Sequence, residues 1–210
     1  MAASTTIPAP TARHRILDAA LLAIRARGYE ATTVEELCTA AGVTKGAFFH
    51  HFESKEALGL AAARHFSDMA DRIFAGAPYR LLLDPLQRLL GYLDFRASIL
   101  QGPLPEFTCL LGTMVQETYE THPVLRDACN RYIDHHAAQV AADIARARDY
   151  YCPDAAWSPE SLALHTQAVL QGAFILAKAK TDPGVAADSV RHLRRYIEML
   201  FEVPTEETKP

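Results

Sequence analysis

The sequence has no CxxC pair, no apolar run long enough to span a bilayer and no strong excess of either charge. Its four cysteines, at 38, 109, 129 and 152, are scattered, so their spacing points to neither a zinc site nor a disulfide framework. A reducing, cytoplasmic setting fits such cysteine use. Without a membrane-length segment, no membrane partner is expected. The first residues, MAASTTIPAPTARHR, lack a basic start followed by an apolar stretch and do not read as a secretory signal. A net charge of −4 gives no global sign of a nucleic-acid partner, so any such footprint has to be a local arrangement. No stretch reads as a β-strand, and no repeat is visible.

What is present is helical periodicity from end to end. Ile16, Ala19, Ala20, Ala23 and Ile24 recur at three- and four-residue spacing, with Gly28 placed to end that helix in a left-handed cap. Thr33 and Glu36 form a capping box for a short second helix, and Gly42 supplies the turn after it. Thr44 caps a third helix and Ser54 begins a longer fourth. Two short helices joined at a glycine, behind a longer one, make a helix-turn-helix.

After Gly76 the chain stays helical but changes character. Asp84-Pro85, His122-Pro123, Ser158-Pro159 and Asp182-Pro183 each mark a break or a new start, and QGPLPEF interrupts the run. The fold expected is all-α, about nine helices, with a three-helix helix-turn-helix domain ahead of a larger helical domain. The divisions are a tail at 1–10, the helix-turn-helix at 11–53, a connecting helix at 54–76, the larger domain at 77–203 and a tail at 204–210.

The stretch VTKGAFFHHF carries the chemistry. At about 100° per residue, Phe48 and Phe52 stack on one side, where they can pack on the first helix. Gly46, Ala47 and His50 share the opposite side, with Lys45, Phe49 and His51 on the flanks. Small residues let the backbone approach base edges, and an alanine methyl suits a thymine methyl. Lys45 can reach phosphate or guanine, and His51 and Lys55 can take phosphates on either side.

Residues 28–58, GYEATTVEELCTAAGVTKGAFFHHFESKEAL, closely resemble the N-terminal domain of TetR/AcrR-type transcriptional repressors. The resemblance runs from Thr11 to Leu58 and rests on Gly28, Thr33, Gly42-Val43, Lys45-Gly46, His51-Phe52 and Ser54-Lys55-Glu56. It implies a homodimer that binds a pseudo-palindromic operator in double-stranded DNA and lets go when a small molecule enters the C-terminal domain. By position, Thr33 and Lys55 would hold phosphates, Thr44, Lys45, Gly46, Ala47 and His50 would face the major groove, and His51 would sit near the backbone. Phe49 departs from the pattern, because the family usually has a tyrosine there whose hydroxyl contacts a phosphate. Glu35 and Glu36 favour the helix dipole but oppose the phosphates.

The last two long helices are the expected dimer clamp. Val169, Gly172, Ala173, Leu176 and Ala177 give one a small-residue face, and Leu193, Tyr196, Ile197, Leu200 and Phe201 give the other a large apolar stripe. Both stripes also suit an internal core. For a largely apolar effector, the candidate lining is Phe66, Met69, Ile73, Tyr92, Phe95, Phe107, Cys109, Met114, Tyr119, Tyr132, His136, His165 and Phe174, with no metal and no cofactor required.

Cys109 has a second possible use. It follows a proline-rich break near a helix N-terminus, where the dipole favours a thiolate, and a related arrangement occurs in electrophile-sensing members of the family that the chain resembles. The pairs His50-His51 and His135-His136 do not read as metal sites, because neighbours on a helix point about 100° apart. An enzyme in the C-terminal half would need an organised nucleophile or paired carboxylates. Glu106, Glu117 and His136 show no such spacing. A relative that has lost DNA binding and acts through protein contacts is favoured only by Phe49 and the acidic second helix.

Overall fold

The computed structural model describes residues 10–201, and the tails expected at 1–10 and 204–210 fall, but for Pro10, outside them. Ten α-helices and one 3-10 turn make up the described residues, with no strand among them. The helices are α1 (Ala12–Arg27), α2 (Val34–Ala41), α3 (Lys45–His51), α4 (Lys55–Ala75), α5 (Pro85–Ser98), α6 (Leu104–Phe107), α7 (Leu110–Thr118), α8 (Pro123–Tyr151), α9 (Pro159–Lys180) and α10 (Gly184–Leu200). None is long and apolar enough to cross a membrane.

Local chemistry sets most of the helix starts. Thr11, Thr33, Thr44, Ser54, Asp84 and Ser158 each accept from a backbone N–H three residues on, satisfying a donor that the first turn leaves free. The Thr33–Glu36 capping box closes in both directions. Gly42 takes φ 60°, ψ 44°, the left-handed conformation that lets the chain turn from α2 into α3 without a Cβ clash. Gly28 differs from expectation. Its φ of 96° is positive, but ψ is 164°, so the chain leaves α1 extended rather than curling into a left-handed cap.

Three further boundaries differ. Residues 77–84 do not continue a helix: one 3-10 turn, Pro78–Leu81, gives way to a loop that leaves Leu81 and Leu83 almost fully exposed. QGPLPEF contains one helical turn, α6, inside the expected break. Before α10, Pro183 caps the helix rather than starting it, and Asp182 accepts from the Gly184 N–H at 2.8 Å.

Two clusters of buried side chains organise the molecule. The first joins Ile16, Leu17, Ile24, Leu37, Phe48 and Leu58 of α1–α4 to Leu110 and Met114 of α7 and to Leu125 and Cys129 of α8. The second gathers Phe74, Tyr79, Leu89, Tyr92, Leu93, Ile144, Leu170, Phe174, Leu193 and Ile197 from α4, the 3-10 turn, α5, α8, α9 and α10. Cys109, at the start of α7, packs against both. The core beneath α1–α3 thus extends well past the connecting helix, because α7 and the start of α8 close it from below.

Candidate DNA-binding surface and ligand cavity

The third helix sits on its aromatic back. Phe48 is fully buried and Phe52 nearly so, their ring centroids 5.7 Å apart, and the Arg13 guanidinium lies 5.3 Å from the Phe52 ring. Burying Phe48 alone stabilises the arrangement by about 2–3 kcal/mol. With that side fixed, Lys45, Gly46 and His50 are exposed, and Ala47 and His51 are partly so. Phe49 is 49 % exposed, its ring meeting Phe48 edge-on at 5.2 Å.

Two residues expected on phosphates are engaged within the fold. The Thr33 hydroxyl donates to Glu36 Oε2 at 2.9 Å and accepts from the Glu36 N–H, so its first task is the cap. Lys55 donates from Nζ to the Glu30 carbonyl at 3.0 Å and lies 4.5 Å from the Tyr29 ring centroid, bracing the loop between α1 and α2. Glu36 opposes DNA less than its charge suggests. Arg27 pairs with it at 2.9 Å, and the Thr33 backbone and side-chain hydrogen bonds, with Arg27, hold its carboxyl below the usual range. Glu35 is the acidic side chain left on that surface.

The two histidine pairs differ: the first stays in ring contact and the second divides between different partners. The His50 and His51 rings meet edge-on at 5.0 Å. His135 faces Asp71 at 3.3 Å, while His136 contacts the Tyr92 hydroxyl at 3.1 Å. Among the described residues no three His, Cys, Asp or Glu side chains are grouped to hold a metal ion.

A cavity of about 70 Å³ opens among α4, α5, α6, α7, α8 and α9. Of the expected lining, Phe66, Phe107, Cys109, Tyr132, His136 and Phe174 reach it. The others belong elsewhere. Met114 is fully buried in the first cluster, and Met69 packs against that cluster because it lies off the 66–70–74 stripe that faces the cavity. Tyr92 and Phe95 form the wall behind Phe74. His165 lies on the outer side of α9, its ring 5.4 Å from Tyr196. Ile73 and Tyr119 are exposed and belong to neither.

The residues missed are mostly polar: Ser67, Asp71, Arg96, Gln167 and Gln171, with Phe74, Leu111 and Ile133. The signal was available. On α4, residues 66, 67, 70, 71 and 74 repeat at helical spacing, a stripe that carries Ser67 and Asp71 along with its aromatic members. Burial, followed by the Arg96, His135 and Arg80 charges, pushes His136 down to about 3. A neutral imidazole can accept at Nε2 from the Tyr92 hydroxyl.

The cavity wall is tied to the reading domain at two points. Buried Arg25 of α1 donates to the Glu106 carbonyl at 2.9 Å and the Thr108 carbonyl at 3.5 Å, on either side of Phe107. Glu117, near the end of α7, accepts from the Glu30 N–H at 2.8 Å, and its carboxylate fills the space where a Cβ on Gly28 would stand. Glu117 therefore serves the loop, Glu106 is exposed and His136 faces the cavity, so these three groups do not converge.

The expected dimer residues divide. Ala173, Leu193 and Ile197 are buried within the chain, where α10 packs on α9 and α5. Leu176 and Tyr196 are half-exposed, and Val169, Gly172 and Leu200 partly so; a Cβ on Gly172 would meet nothing within 4 Å. Leu164, Ile175 and Met199 join them on the outer side of the pair.

An all-helical chain that presents a short capped helix over a helix-turn-helix, with a cavity in the following bundle, has the build of a DNA-binding regulator. Comparison with known proteins agrees. Residues 16–62 match the model "Bacterial regulatory proteins, tetR family", and residues 85–193, more than half the chain, match "Tetracyclin repressor-like, C-terminal domain". The chain belongs to the TetR family of transcriptional regulators, DNA-binding proteins of the repressor type.

The HTH-type transcriptional repressor DhaR of Mycobacterium sp. is 28% identical over 152 residues, covering 72% of this chain and 75% of that one. The regulator YerO of Bacillus subtilis is 38% identical over 132 residues, 55% of this chain and 45% of its own length. The alignment thus spans less than half of YerO. Among solved structures, a regulatory protein TetR from Rhodobacter sphaeroides superposes with a TM-score of 0.78 at 25% identity, covering 88% of this chain and 98% of that one. The relatives are regulators, which implies a regulator here rather than an enzyme.

Proposed function

We propose that this protein is a homodimeric repressor that binds a pseudo-palindromic operator through α3 and releases it when a small molecule occupies the helical cavity. The observation that carries the reading is the two-sided third helix. Phe48 and Phe52 anchor it, and Lys45, Gly46, Ala47 and His50 are left on the free side with Thr44 at the N-cap. Thr33, His51 and Lys55 flank that surface for phosphates, Lys55 by turning from the Glu30 carbonyl. Residues 11–53 then read DNA, 54–76 connect and 77–203 bind effector and partner, in the cytoplasm where the operator is.

Two such helices must stand about 34–36 Å apart to enter successive major grooves. The outer faces of α9 and α10, with Val169, Gly172, Leu176, Tyr196 and Leu200, are the surface for the second copy. The ligand's lever has two arms: α4, which starts directly after α3 and carries Phe66 and Phe74 of the cavity, and the Arg25 and Glu117 ties from α6 and α7 to α1 and its loop. Footprinting on the DNA upstream of the protein's own gene tests the reading. A salt-sensitive, two-fold-symmetric protected site is expected. A folded dimer that shows no specific protection would overturn it.

A second reading has its own observation. Cys109 lies in the wall of the cavity and of the adjoining cleft beside Lys178, and its Sγ accepts from the Gly112 N–H at 3.4 Å at the start of α7. An electrophile entering there, such as an enone, would be attacked by the Cys109 thiolate at its β-carbon, with water protonating the α-carbon. Release of operator by N-ethylmaleimide in the native chain but not in Cys109→Ser is the expected result. Equal release in both removes the reading.

A further inference from the structure

The cavity holds a charge that the protein does not neutralise. Arg96 projects into it from α5, the only cavity residue from that helix. Its Nε is buried without a hydrogen-bond partner, no carboxylate stands within ion-pair distance among the described residues, and its guanidinium carbon lies 5.1 Å from the Phe74 ring centroid. Gln167, 7 % exposed on α9, also faces the cavity. Its Nε2 approaches the Tyr92 hydroxyl closely enough to favour the phenolate but falls short of full hydrogen-bond geometry, since that hydroxyl is already engaged with His136.

The other titratable groups on the wall do not answer Arg96. Asp71 faces His135 at 3.3 Å and accepts from Gln139 at 3.1 Å. His136 is engaged with Tyr92, and Cys109 caps α7. Two buried donors, one of them cationic, are left without acceptors in a pocket whose other walls are Phe66, Phe107, Leu111 and Phe174. Buried polar groups in native proteins are almost always satisfied, and an exception calls for a missing partner. Arg96 as a whole is partly exposed, but the buried Nε of a cation that no carboxylate pairs is the costlier of the two to leave open.

We propose that the cavity takes a small organic anion, an aromatic carboxylate, whose oxygens accept from Arg96 and Gln167 and whose ring lies among Phe66, Phe107 and Phe174. A planar carboxylate fits a guanidinium fork better than a lone carbonyl does. Size sets the upper limit: at about 70 Å³ the cavity is far below the roughly 300–1,000 Å³ of drug-sized pockets, so only a small acid can enter without the walls giving way. The proposal rests on the reading of this cavity as the effector site, but it concerns what binds rather than what binding does.

Calorimetry on the full chain with benzoate and cinnamate, against benzamide and cinnamamide, tests it. Each acid is expected to bind about tenfold or more tightly than its amide, the usual margin for hydrogen bonds to a charged partner. Arg96→Met should erase the preference while leaving amide binding in place, and Gln167→Leu should reduce it; circular dichroism checks that each variant is folded. Equal affinities for acid and amide, no binding by any of the four, or a preference that survives Arg96→Met overturns the proposal. Should Arg96→Met not fold, the acid-to-amide ratio of the native chain and its change in Gln167→Leu decide. Operator release in the same samples separates the two readings. Selective acid binding without release keeps the site and refutes effector control, whereas release by a neutral compound with no acid preference does the reverse.

Discussion

The core beneath the reading helix is assembled from Ile16, Leu17, Ile24, Leu37, Phe48 and Met114, all fully or almost fully buried. The core of the second half, built on Phe74, Tyr92, Leu170 and Phe174, borders a cavity that Arg96, His136 and Gln167 also line. The first is dry and apolar, aromatic as well as aliphatic, as a helix that must meet DNA in a fixed register requires. The second keeps polar groups and a cavity at its border, which lower its own stability and which a bound effector, as proposed, would offset. Rigidity in one half and incompleteness in the other is the division of labour expected of a ligand-controlled DNA reader.

Breaking the dry core should have the largest effect. Phe48→Ala is expected to cost about 3–5 kcal/mol, because it leaves a cavity under α3. Chemical denaturation should show that loss, and operator affinity should fall with it. Next in size is the tie between the halves. Arg25→Met strands the Glu106 and Thr108 carbonyls and should cost about 2 kcal/mol. Operator binding should survive, but the ligand concentration needed for release should rise. An unchanged ligand response would break the proposed link between cavity and reading domain.

The polar core should announce itself through pH. In the folded chain His136 is pushed down to about 3 by burial and stays neutral, whereas unfolded histidine takes up a proton near 6.5. Its contribution is therefore fully present above about pH 6.5 and is lost as pH falls toward about 3, by at most about 1.4 kcal/mol per unit. Thermal unfolding between pH 7 and 5 should show this fall in the native chain and a shallower one in His136→Gln. Smaller still, Thr44→Ala removes the cap of α3 and should cost about 1 kcal/mol with a matching loss in operator affinity. Phe49→Tyr should leave stability unchanged while raising operator affinity a few-fold, by adding one hydroxyl toward a phosphate.

How much was legible in the sequence follows the same division. Caps and turns are local, so Thr33–Glu36, Gly42, Thr44 and the two faces of α3 could be read from spacing alone. The second half depends on which of several apolar faces turns inward. Leu176 and Leu193 look alike in sequence, but α10 packs against both α9 and α5, and so Leu193 and Ile197 are buried within the chain while Leu176 and Tyr196 stay outside. Arg96 gave no signal, since one charge on an otherwise ordinary helix declares nothing until the fold shows that its partner is missing. Gly28 signalled the helix end but not its form, since the extended ψ of 164° and the Glu117 carboxylate packed where a Cβ would stand arise only in the fold.

The central claim is that α3 enters a DNA groove by its small-residue side, and Gly46 tests it most directly. A Cβ at Gly46 would meet only Thr44 Oγ1, at 3.9 Å, so a larger side chain there does not disturb the fold. Replacing glycine inside a helix should even stabilise it by about 0.5–1 kcal/mol. Fluorescence anisotropy with a labelled duplex from upstream of the protein's own gene, titrated with native and Gly46→Leu protein, is the measurement. A folded, equally or more stable variant that no longer binds specifically is the predicted result; native-like affinity in Gly46→Leu would contradict it.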